Sequence, residues 1–264
     1  MAFYLGEHGE NYFVEFGSGF PVVLLHGISN SGRAWGPQIA PLISAGHRVI
    51  VPDHAGHGAS APVRKPLSVA ELARDVISLL DHLAIDSADI VGLSLGGMIA
   101  LQLALTAPAR VRRLVIANSF ATTSTDAFES AARQWARIFR AEHGPVVRFE
   151  NAWPLNVSAA FRASEAGIRT WQVWHGIAAT ADGPSLAHVG EGIVGFDVRG
   201  RLASIDKSTL VIAGTEDPIS PPSVSHEIVT GIAGARLHEI SGAAHISNVD
   251  SADAFNSALL DFLA

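Results

Sequence analysis

The sequence predicts an α/β protein with a mostly parallel, doubly wound sheet that is interrupted by a helical insert. Short, continuous apolar runs alternate with helical stretches in the first half of the chain, and such runs return near its end. Strands that are apolar throughout are typical of parallel sheets covered by helices on both faces. The 264 residues, 48% of them hydrophobic, are enough to bury a large core.

Six apolar runs are predicted to be strands, because each has strand length and is followed by glycine, proline or small polar residues. They cover residues 20–25, 48–51, 88–93, 113–117, 209–213 and 235–240. Between the second and third runs, residues 68–83 have the apolar spacing of a helix, with Ser68 as N-cap and Glu71 at the capping-box position. Strands joined by helices of this length predict βαβ crossovers and a parallel sheet.

Residues 119–205 interrupt this alternation, and their apolar runs are broken. We expect a core domain built from residues 1–118 and 206–264, with a helical insert of residues 119–205 between its two parts. Helical spacing is visible at 126–142, and a final amphipathic helix is predicted at 253–263. The insert contains four of the five tryptophans, which form either its own core or the wall of a pocket beneath it: Trp135, Trp153, Trp171 and Trp174.

Composition excludes several classes of function. The chain has 25 acidic and 18 basic residues, so it offers no basic field for nucleic acid. It has no cysteine, which excludes disulfides, thiolate metal sites and a cysteine nucleophile. The N-terminus lacks the pattern of a signal peptide, and no run approaches the length of a membrane span. We therefore expect a cytoplasmic protein that binds a small molecule and has neither nucleic acid nor membrane as partner.

A nucleophile motif lies where the third predicted strand gives way to a helical stretch. Residues 92–96 are Gly-Leu-Ser-Leu-Gly, the G-x-S-x-G pattern of a sharp turn between strand and helix. Glycines are needed there because the turn leaves no room for β-carbons beside the serine. The turn places the Ser94 hydroxyl above the carboxyl edge of the sheet, at a helix N-terminus that stabilises negative charge. Ser94 is the predicted nucleophile.

A serine nucleophile needs a base and an acid that orients the base. Among twelve histidines, His245 lies in a small-residue loop after the last predicted strand and before the final helix. Asp217 begins a proline-rich loop after the strand at 209–213, and it is favoured over Glu216. The chain order Ser94, Asp217, His245 is one of the known orders of such triads.

The loop after the first predicted strand is expected to help bind a negatively charged oxygen. Gly27 permits a tight turn that could aim the Ile28 amide at Ser94 and its turn, the nucleophile elbow of residues 92–96. There it would join the Leu95 amide in a two-donor oxyanion hole. His26 is expected to hold this loop by hydrogen bonds.

His54 and His57, in the turn after the second strand, could suggest a metal. Because no third protein ligand is evident, we expect structural residues and no metal there.

Together these residues resemble the α/β-hydrolase superfamily over the whole chain except the insert. Three segments are similar in particular to the 3-oxoadipate enol-lactonase group: GLSLGGM at 92–98, AGTEDPISPP at 213–222 and AAHISNVDSADAFNSALLDFL at 243–263. The resemblance implies the α/β-hydrolase fold, with the insert as a lid. It also implies roles for five residues, namely a triad of Ser94, Asp217 and His245 and an oxyanion hole from Ile28 and Leu95. Enol-lactonases of this group commonly carry Ser-Asn where this chain has His26-Gly27.

The expected reaction is hydrolysis of an ester or lactone of a small, apolar or aromatic-derived molecule, as in aromatic catabolism, through an acyl-enzyme on Ser94. No cofactor is expected. The same triad and lid also serve carbon–carbon bond hydrolases that act on ring-cleavage products. A cofactor-independent oxygenase or a lyase is a third possibility in this scaffold. The alternative outside enzymes is a hydrolase-like small-molecule receptor.

The insert supplies the candidate substrate contacts. Trp135, Trp153, Trp171 and Trp174 are the predicted substrate-binding residues. Arg133, Arg137 and Arg140 recur at helical spacing and either clamp a substrate carboxylate or form a solvated helix face. The sequence does not set the oligomeric state.

Overall fold

A computed structural model describes residues 2–264, and Met1, the first residue of the predicted core, lies outside it. The described residues form one eight-stranded sheet. Its strands are β1 Ala2–Gly6, β2 Gly9–Phe16, β3 Phe20–Leu25, β4 His47–Pro52, β5 Ala88–Leu93, β6 Val111–Ala117, β7 Ser208–Gly214 and β8 Arg236–Ile240. Their order across the sheet is β1-β2-β4-β3-β5-β6-β7-β8.

The six predicted apolar runs form β3 to β8. Neighbouring strands from β4 through β8 all pair in parallel. Every residue of β5 is buried, as expected for a strand covered on both faces. The prediction of a mostly parallel, doubly wound sheet is confirmed, and the observed strands differ from the predicted runs by at most two residues at either end.

An antiparallel hairpin extends this sheet at one edge, and the sequence analysis did not predict it. Strand β1 pairs with β2, and β2 pairs with β4, both antiparallel. In β2 the buried residues Asn11 and Phe13 alternate with more exposed ones. This period of two differs from the continuous apolar runs that identified the other strands.

Within residues 2–264, eleven α-helices accompany the sheet. They are α1 Gly36–Ser44, α2 Val69–His82, α3 Leu95–Thr106, α4 Asp126–Arg140, α5 Gly144–Asn156, α6 Ala159–Ala163, α7 Glu165–Ala179, α8 Gly183–Gly192, α9 Pro222–Gly231, α10 Ser247–Asp250 and α11 Ala252–Leu263. None of them is both long enough and apolar enough to cross a lipid bilayer.

The core has two halves, one on each face of the sheet. Alternate residues of β3 divide between them, as the strand period requires. Val22 and Leu24 pack with the side of α1 and α11, whereas Val23 and Leu25 pack with the side of α2, α3 and α9.

The segment between β6 and β7 consists mainly of the five helices α4 to α8. Helix α4 packs against α5 and α8, and α5 packs against α7. An isolated bridge between Thr122 and Asp197 joins the two ends of the segment where it leaves the sheet. That this insert acts as a lid stays a prediction.

Helix α2 begins with the predicted capping box. The Ser68 hydroxyl accepts a hydrogen bond from the Glu71 N–H at 3.3 Å, and the Glu71 carboxylate accepts one from the Ser68 N–H at 2.8 Å. The helix buries Leu72, Val76 and Leu79 against the core. Two N–H groups that would otherwise lack an acceptor are thus satisfied at its first turn.

We expect Ser68→Ala to lower the free energy of unfolding by about 1 kcal/mol, because it removes an N-cap acceptor. Urea denaturation of the purified protein measures this change. Ser78→Ala is the matched control, since Ser78 lies inside the same helix and its hydroxyl bonds only to the Arg74 carbonyl. Equal losses in both variants would contradict the capping argument.

Candidate active site

The carboxyl ends of the parallel strands meet at one edge of the sheet. The register pairs Leu25 with Gly92, at the ends of β3 and β5. Strand β4 lies on one side of β3 and β5 on the other, so the strand order reverses at this point. In open α/β sheets such a switch point leaves a crevice in which ligands bind. The loops after β3, β5, β7 and β8 carry the predicted site residues to this edge.

Ser94 forms the turn between β5 and α3. Its φ of 55° and ψ of −115° lie in a region that serine rarely adopts. The Ser94 N–H donates to the carbonyl of Ala117, which fixes the turn against β6. A β-carbon at Gly96 would overlap the carbonyl oxygen of Leu25, and one at Gly92 would overlap the backbone of Gly96. The steric reason predicted for the elbow glycines therefore holds.

The structure brings Ser94, His245 and Asp217 together in one hydrogen-bonded chain. The Nε2 atom of His245 lies 2.9 Å from the Ser94 hydroxyl, and its Nδ1 atom lies 2.9 Å from a carboxylate oxygen of Asp217. All three side chains are buried. Glu216, the weaker candidate for the acid, is exposed. This arrangement suits transfer of the Ser94 proton to Nε2 while the carboxylate holds the ring.

The Asp217 carboxylate accepts hydrogen bonds at both oxygens. One oxygen accepts from the backbone N–H groups of Ile219 and Ser220, at 2.8 and 3.0 Å. The other accepts from the Ser220 hydroxyl at 2.6 Å and from the Asn118 side-chain amide at 2.9 Å, besides His245. Burial raises the pKa of Asp217, but attraction to His245 and these hydrogen bonds outweigh burial and lower it overall. Asp217 therefore stays ionised near neutral pH.

Asn118 and Ser220 are contacts that the sequence analysis missed. Asn118 directly follows the strand at 111–117, and Ser220 lies in the proline-rich loop that Asp217 begins, so neither residue has a local signal of this contact. Their role depends on β6 and β7 being neighbours, which the sheet order supplies.

The loop that carries His245 is tied to the insert. The N–H of Ile246 donates to the carbonyl of Asn156, at the end of α5, over 2.8 Å. The Asp250 carboxylate accepts from the Ala244 N–H at 2.7 Å and from the Ser158 hydroxyl at 2.7 Å. The loop that carries the candidate base and the start of α6 in the insert are thus both hydrogen-bonded to Asp250.

The predicted oxyanion residues lie beside Ser94. Leu95 is the first residue of α3, so its N–H has no acceptor within the helix. Ile28 follows β3, and both residues border the same cavity as Ser94 and His245. A β-carbon at Gly27 would come within 3.3 Å of the Ser94 β-carbon, so this loop passes close to the elbow.

His26, His54 and His57 form a buried cluster behind this loop. The ring centres of His54 and His57 lie 4.1 and 5.2 Å from that of His26. His26 donates from Nδ1 to the Gly27 carbonyl at 2.8 Å and accepts at Nε2 from the His54 N–H at 3.1 Å. His54 in turn donates from Nε2 to the His26 carbonyl at 3.0 Å. The rings bind the backbone, as expected for residues that hold a loop.

Burial lowers the pKa of all three histidines, and repulsion between the rings lowers it further for His26 and His54. The pKa is about 3 for His54 and about 4 for His57. A charged ring in this cluster would lose its hydration without gaining a carboxylate partner. The cluster is therefore neutral at physiological pH.

A cavity of about 370 Å³ lies between the sheet edge and the insert, with Ser94 and His245 on its wall. Of the four predicted substrate-binding tryptophans, Trp135 and Trp174 border it. Trp153 and Trp171 are not among the residues that border it. Trp153 packs with Val157, Ile246 and Val249, and Trp171 packs at the edge of that cluster and stacks on His175, with ring centres 4.6 Å apart.

The three insert arginines singled out in the sequence lie on the outer surface of α4. Arg133 pairs with Glu129, and Arg140 pairs with Glu191. A carboxylate clamp made of these residues is excluded, because none of them borders the cavity. Within residues 2–264 the arginine that does border it is Arg148 of α5, which sequence reasoning missed because nothing in its neighbourhood marks it.

These features define a class of protein. The chain belongs to the α/β-hydrolase fold family, whose sequence profile matches residues 21–252. A relative from Variovorax paradoxus, "Putative carbamate hydrolase RutD", is 34% identical and is aligned over 93% of this chain and 92% of its own. The 3-oxoadipate enol-lactonase 2 of Acinetobacter baylyi is 33% identical over 85% of this chain and 81% of its own. The enol-lactonase structure from Burkholderia xenovorans LB400 superposes with a TM-score of 0.92 at 28% identity, covering 99% of each chain.

The resemblance to α/β-hydrolases, including the enol-lactonases, is confirmed by these matches.

We expect the free energy of unfolding to fall as the pH drops below about 6.5, the unfolded pKa of histidine. The folded pKa values of the buried cluster lie below that value, so the unfolded chain binds more protons. The contribution of these histidines to the free energy of unfolding is fully present above about pH 6.5. It is lost as the pH falls toward the folded pKa values, by up to about 1.4 kcal/mol per pH unit for each histidine.

Urea denaturation between pH 7 and pH 5 tests this expectation. His57→Gln should reduce the slope of the free energy of unfolding against pH by the equivalent of about one bound proton. His143→Gln, at an exposed position, is the control and should leave that slope unchanged. An unaltered slope in the His57 variant would show that this ring is not a source of the pH dependence.

Proposed function

We propose that the protein is a serine hydrolase that cleaves an ester or a lactone of a small molecule. The proposal rests on the hydrogen-bonded chain from Ser94 through His245 to Asp217, in which both donor–acceptor distances are 2.9 Å. This chain lies at the wall of a cavity. The family assignment supports hydrolase chemistry in general, and the enol-lactonase relatives support a lactone or ester carbonyl in particular.

In the proposed reaction, the Ser94 hydroxyl attacks the carbonyl carbon and passes its proton to Nε2 of His245. Asp217 holds the Nδ1 proton and stabilises the charged ring. The N–H groups of Ile28 and Leu95 bind the oxyanion, a contribution of about 3 kcal/mol each. His245 then protonates the leaving alcohol or enol, and a water molecule activated by the same ring hydrolyses the acyl-enzyme.

The cavity lining favours a largely apolar substrate. Aromatic rings from the loop after β6 and from the insert face the space next to Ser94. They belong to Phe120, Phe128, Trp135, Phe149 and Trp174. Such a wall excludes water and strengthens the electrostatic contacts of the oxyanion. The insert is therefore proposed to act as a lid, with Trp135 and Trp174 as its substrate-contacting tryptophans.

Carbamate hydrolysis is the second candidate, favoured by the relative that is 34% identical over 93% of this chain. It uses the same attack on a carbonyl carbon, which in a carbamate also carries a nitrogen. A panel of enol-lactones, aryl esters, carbamates and ring-cleavage dienoates, assayed with the purified protein, separates these reactions. The highest kcat/KM on a carbamate or on a dienoate would displace the ester and lactone proposal.

Ser94→Ala should lower kcat for the hydrolysis of p-nitrophenyl acetate by on the order of 10³-fold or more, because the triad acts as a unit. A fluorophosphonate probe should label the wild-type protein at Ser94 and fail to label the variant. Ser124→Ala, at an exposed serine, is the control and should keep full activity and labelling. Retained hydrolysis in the Ser94 variant, with an unchanged unfolding midpoint, would refute the assignment of the nucleophile.

Two tryptophan variants should separate substrate binding from packing. Trp174→Ala, at the cavity, should raise KM several-fold with a small effect on stability. Trp153→Ala should lower the free energy of unfolding by about 3–5 kcal/mol, because it empties a buried site. Steady-state kinetics and urea denaturation of both variants measure the two effects. The reverse pattern, with stability lost at Trp174 and KM changed at Trp153, would remove Trp174 from the substrate site.

A further inference from the structure

The two residues that flank His245 are each held by a hydrogen bond that leads to the insert. After His245, the Ile246 N–H donates to the carbonyl of Asn156, the last residue of α5, over 2.8 Å. Before His245, the Ala244 N–H donates to the Asp250 carboxylate over 2.7 Å. The position of the candidate base therefore depends on contacts outside the sheet that carries Ser94.

The Asp250 carboxylate joins this loop to the start of α6. One of its oxygens accepts from the Ala244 N–H and also from the Ser158 N–H, the latter over 3.0 Å. Its other oxygen accepts from the Ser158 hydroxyl over 2.7 Å. Ser158 is buried and caps α6. Hydrogen bonds to a carboxylate are shorter and stronger than those between neutral groups, so this side chain fixes the distance between the loop and the insert.

Apolar packing supports the same joint. Trp153 and Val157, at the end of α5, form one buried cluster with two residues that follow His245, namely Ile246 and Val249. A displacement of the insert that left the loop behind would separate these two pairs and expose their apolar surface, which is costly. Packing and hydrogen bonds therefore both favour movement of the insert and the loop together.

We propose that Asp250 is a positioning residue that couples the insert to His245. Because Asp250 holds Ser158 and the loop together, Nε2 of the base stays 2.9 Å from the Ser94 hydroxyl. A displacement of about 1 Å, caused far from the reacting atoms, can lower a rate about a hundredfold. The position of the insert thus determines the reactivity of Ser94. This inference rests on the proposed hydrolase function, and it adds control of the base by the insert.

The test measures the rate at which a fluorophosphonate probe labels Ser94, together with kcat and KM for p-nitrophenyl acetate. Asp250→Ala should lower the labelling rate and kcat about ten- to hundredfold and change KM less than about threefold. Asp250→Asn keeps an oxygen for the two backbone donors and gains an N–H that can donate to the Ser158 hydroxyl, so it should retain most of the wild-type rate. Equal losses in both variants would overturn the proposal.

Ser158→Ala tests the insert side of the joint. It removes one hydrogen bond to Asp250 and should lower the labelling rate about three- to tenfold. Ser164→Ala is its matched control, because Ser164 is the N-cap of α7 and its hydroxyl bonds only within the insert. Asp182→Ala is the control for Asp250→Ala, since the Asp182 carboxylate likewise accepts from the N–H and the hydroxyl of one serine, Ser185. Both controls should keep the wild-type labelling rate. Labelling rates that simply follow the unfolding midpoint across all variants would show a merely structural role.

Crystal structures of three proteins separate this inference from the proposed reaction, because they require no hydrolysis. Relative to the wild type, Asp250→Ala should place Nε2 of His245 beyond hydrogen-bond reach of the Ser94 hydroxyl, at more than about 3.5 Å. Asp182→Ala should leave that distance unchanged. If the wild type is neither labelled nor active on esters, the hydrolase proposal fails while these structures still decide the role of Asp250. An unmoved His245 in Asp250→Ala would refute that role.

Discussion

The close approach of α3 to the end of β3 is the constraint on which the rest of the site depends. At Gly96 the helix backbone comes so near the Leu25 carbonyl that no β-carbon fits between them. This contact sets the first turn of α3 directly above the sheet edge and forces Ser94 into its positive φ. That one packing requirement places Ser94, the free N–H of Leu95 and the loop after β3 together, independently of the hydrogen bond from Ser94 to His245.

A buried polar network stabilises the other side of the site. The Ser247 hydroxyl donates to the Asn118 side chain at 2.6 Å, and the Asn118 amide donates to Asp217. The carboxylate then orients His245. Each side chain of this network has a hydrogen-bond partner. The network therefore fixes one arrangement of these side chains and leaves few of their polar atoms without a partner. Because α5 and Asp250 hold the neighbouring backbone, a shift of the insert would also move the loop that carries His245.

The sequence was sufficient for the features whose origin is local. Continuous apolar runs identified the parallel strands, and the elbow, acid and histidine segments each directly follow a strand, so the sheet itself brings Ser94, Asp217 and His245 to one edge. Features that depend on tertiary packing could not be predicted in the same way. Trp135 and Trp153 have similar surroundings in the sequence, and only the packing of α5 on α4 and α7 decides which faces the cavity. The same holds for the arginines, because helical spacing marked Arg133, which lies outside the cavity, and no local pattern marks Arg148, which borders it.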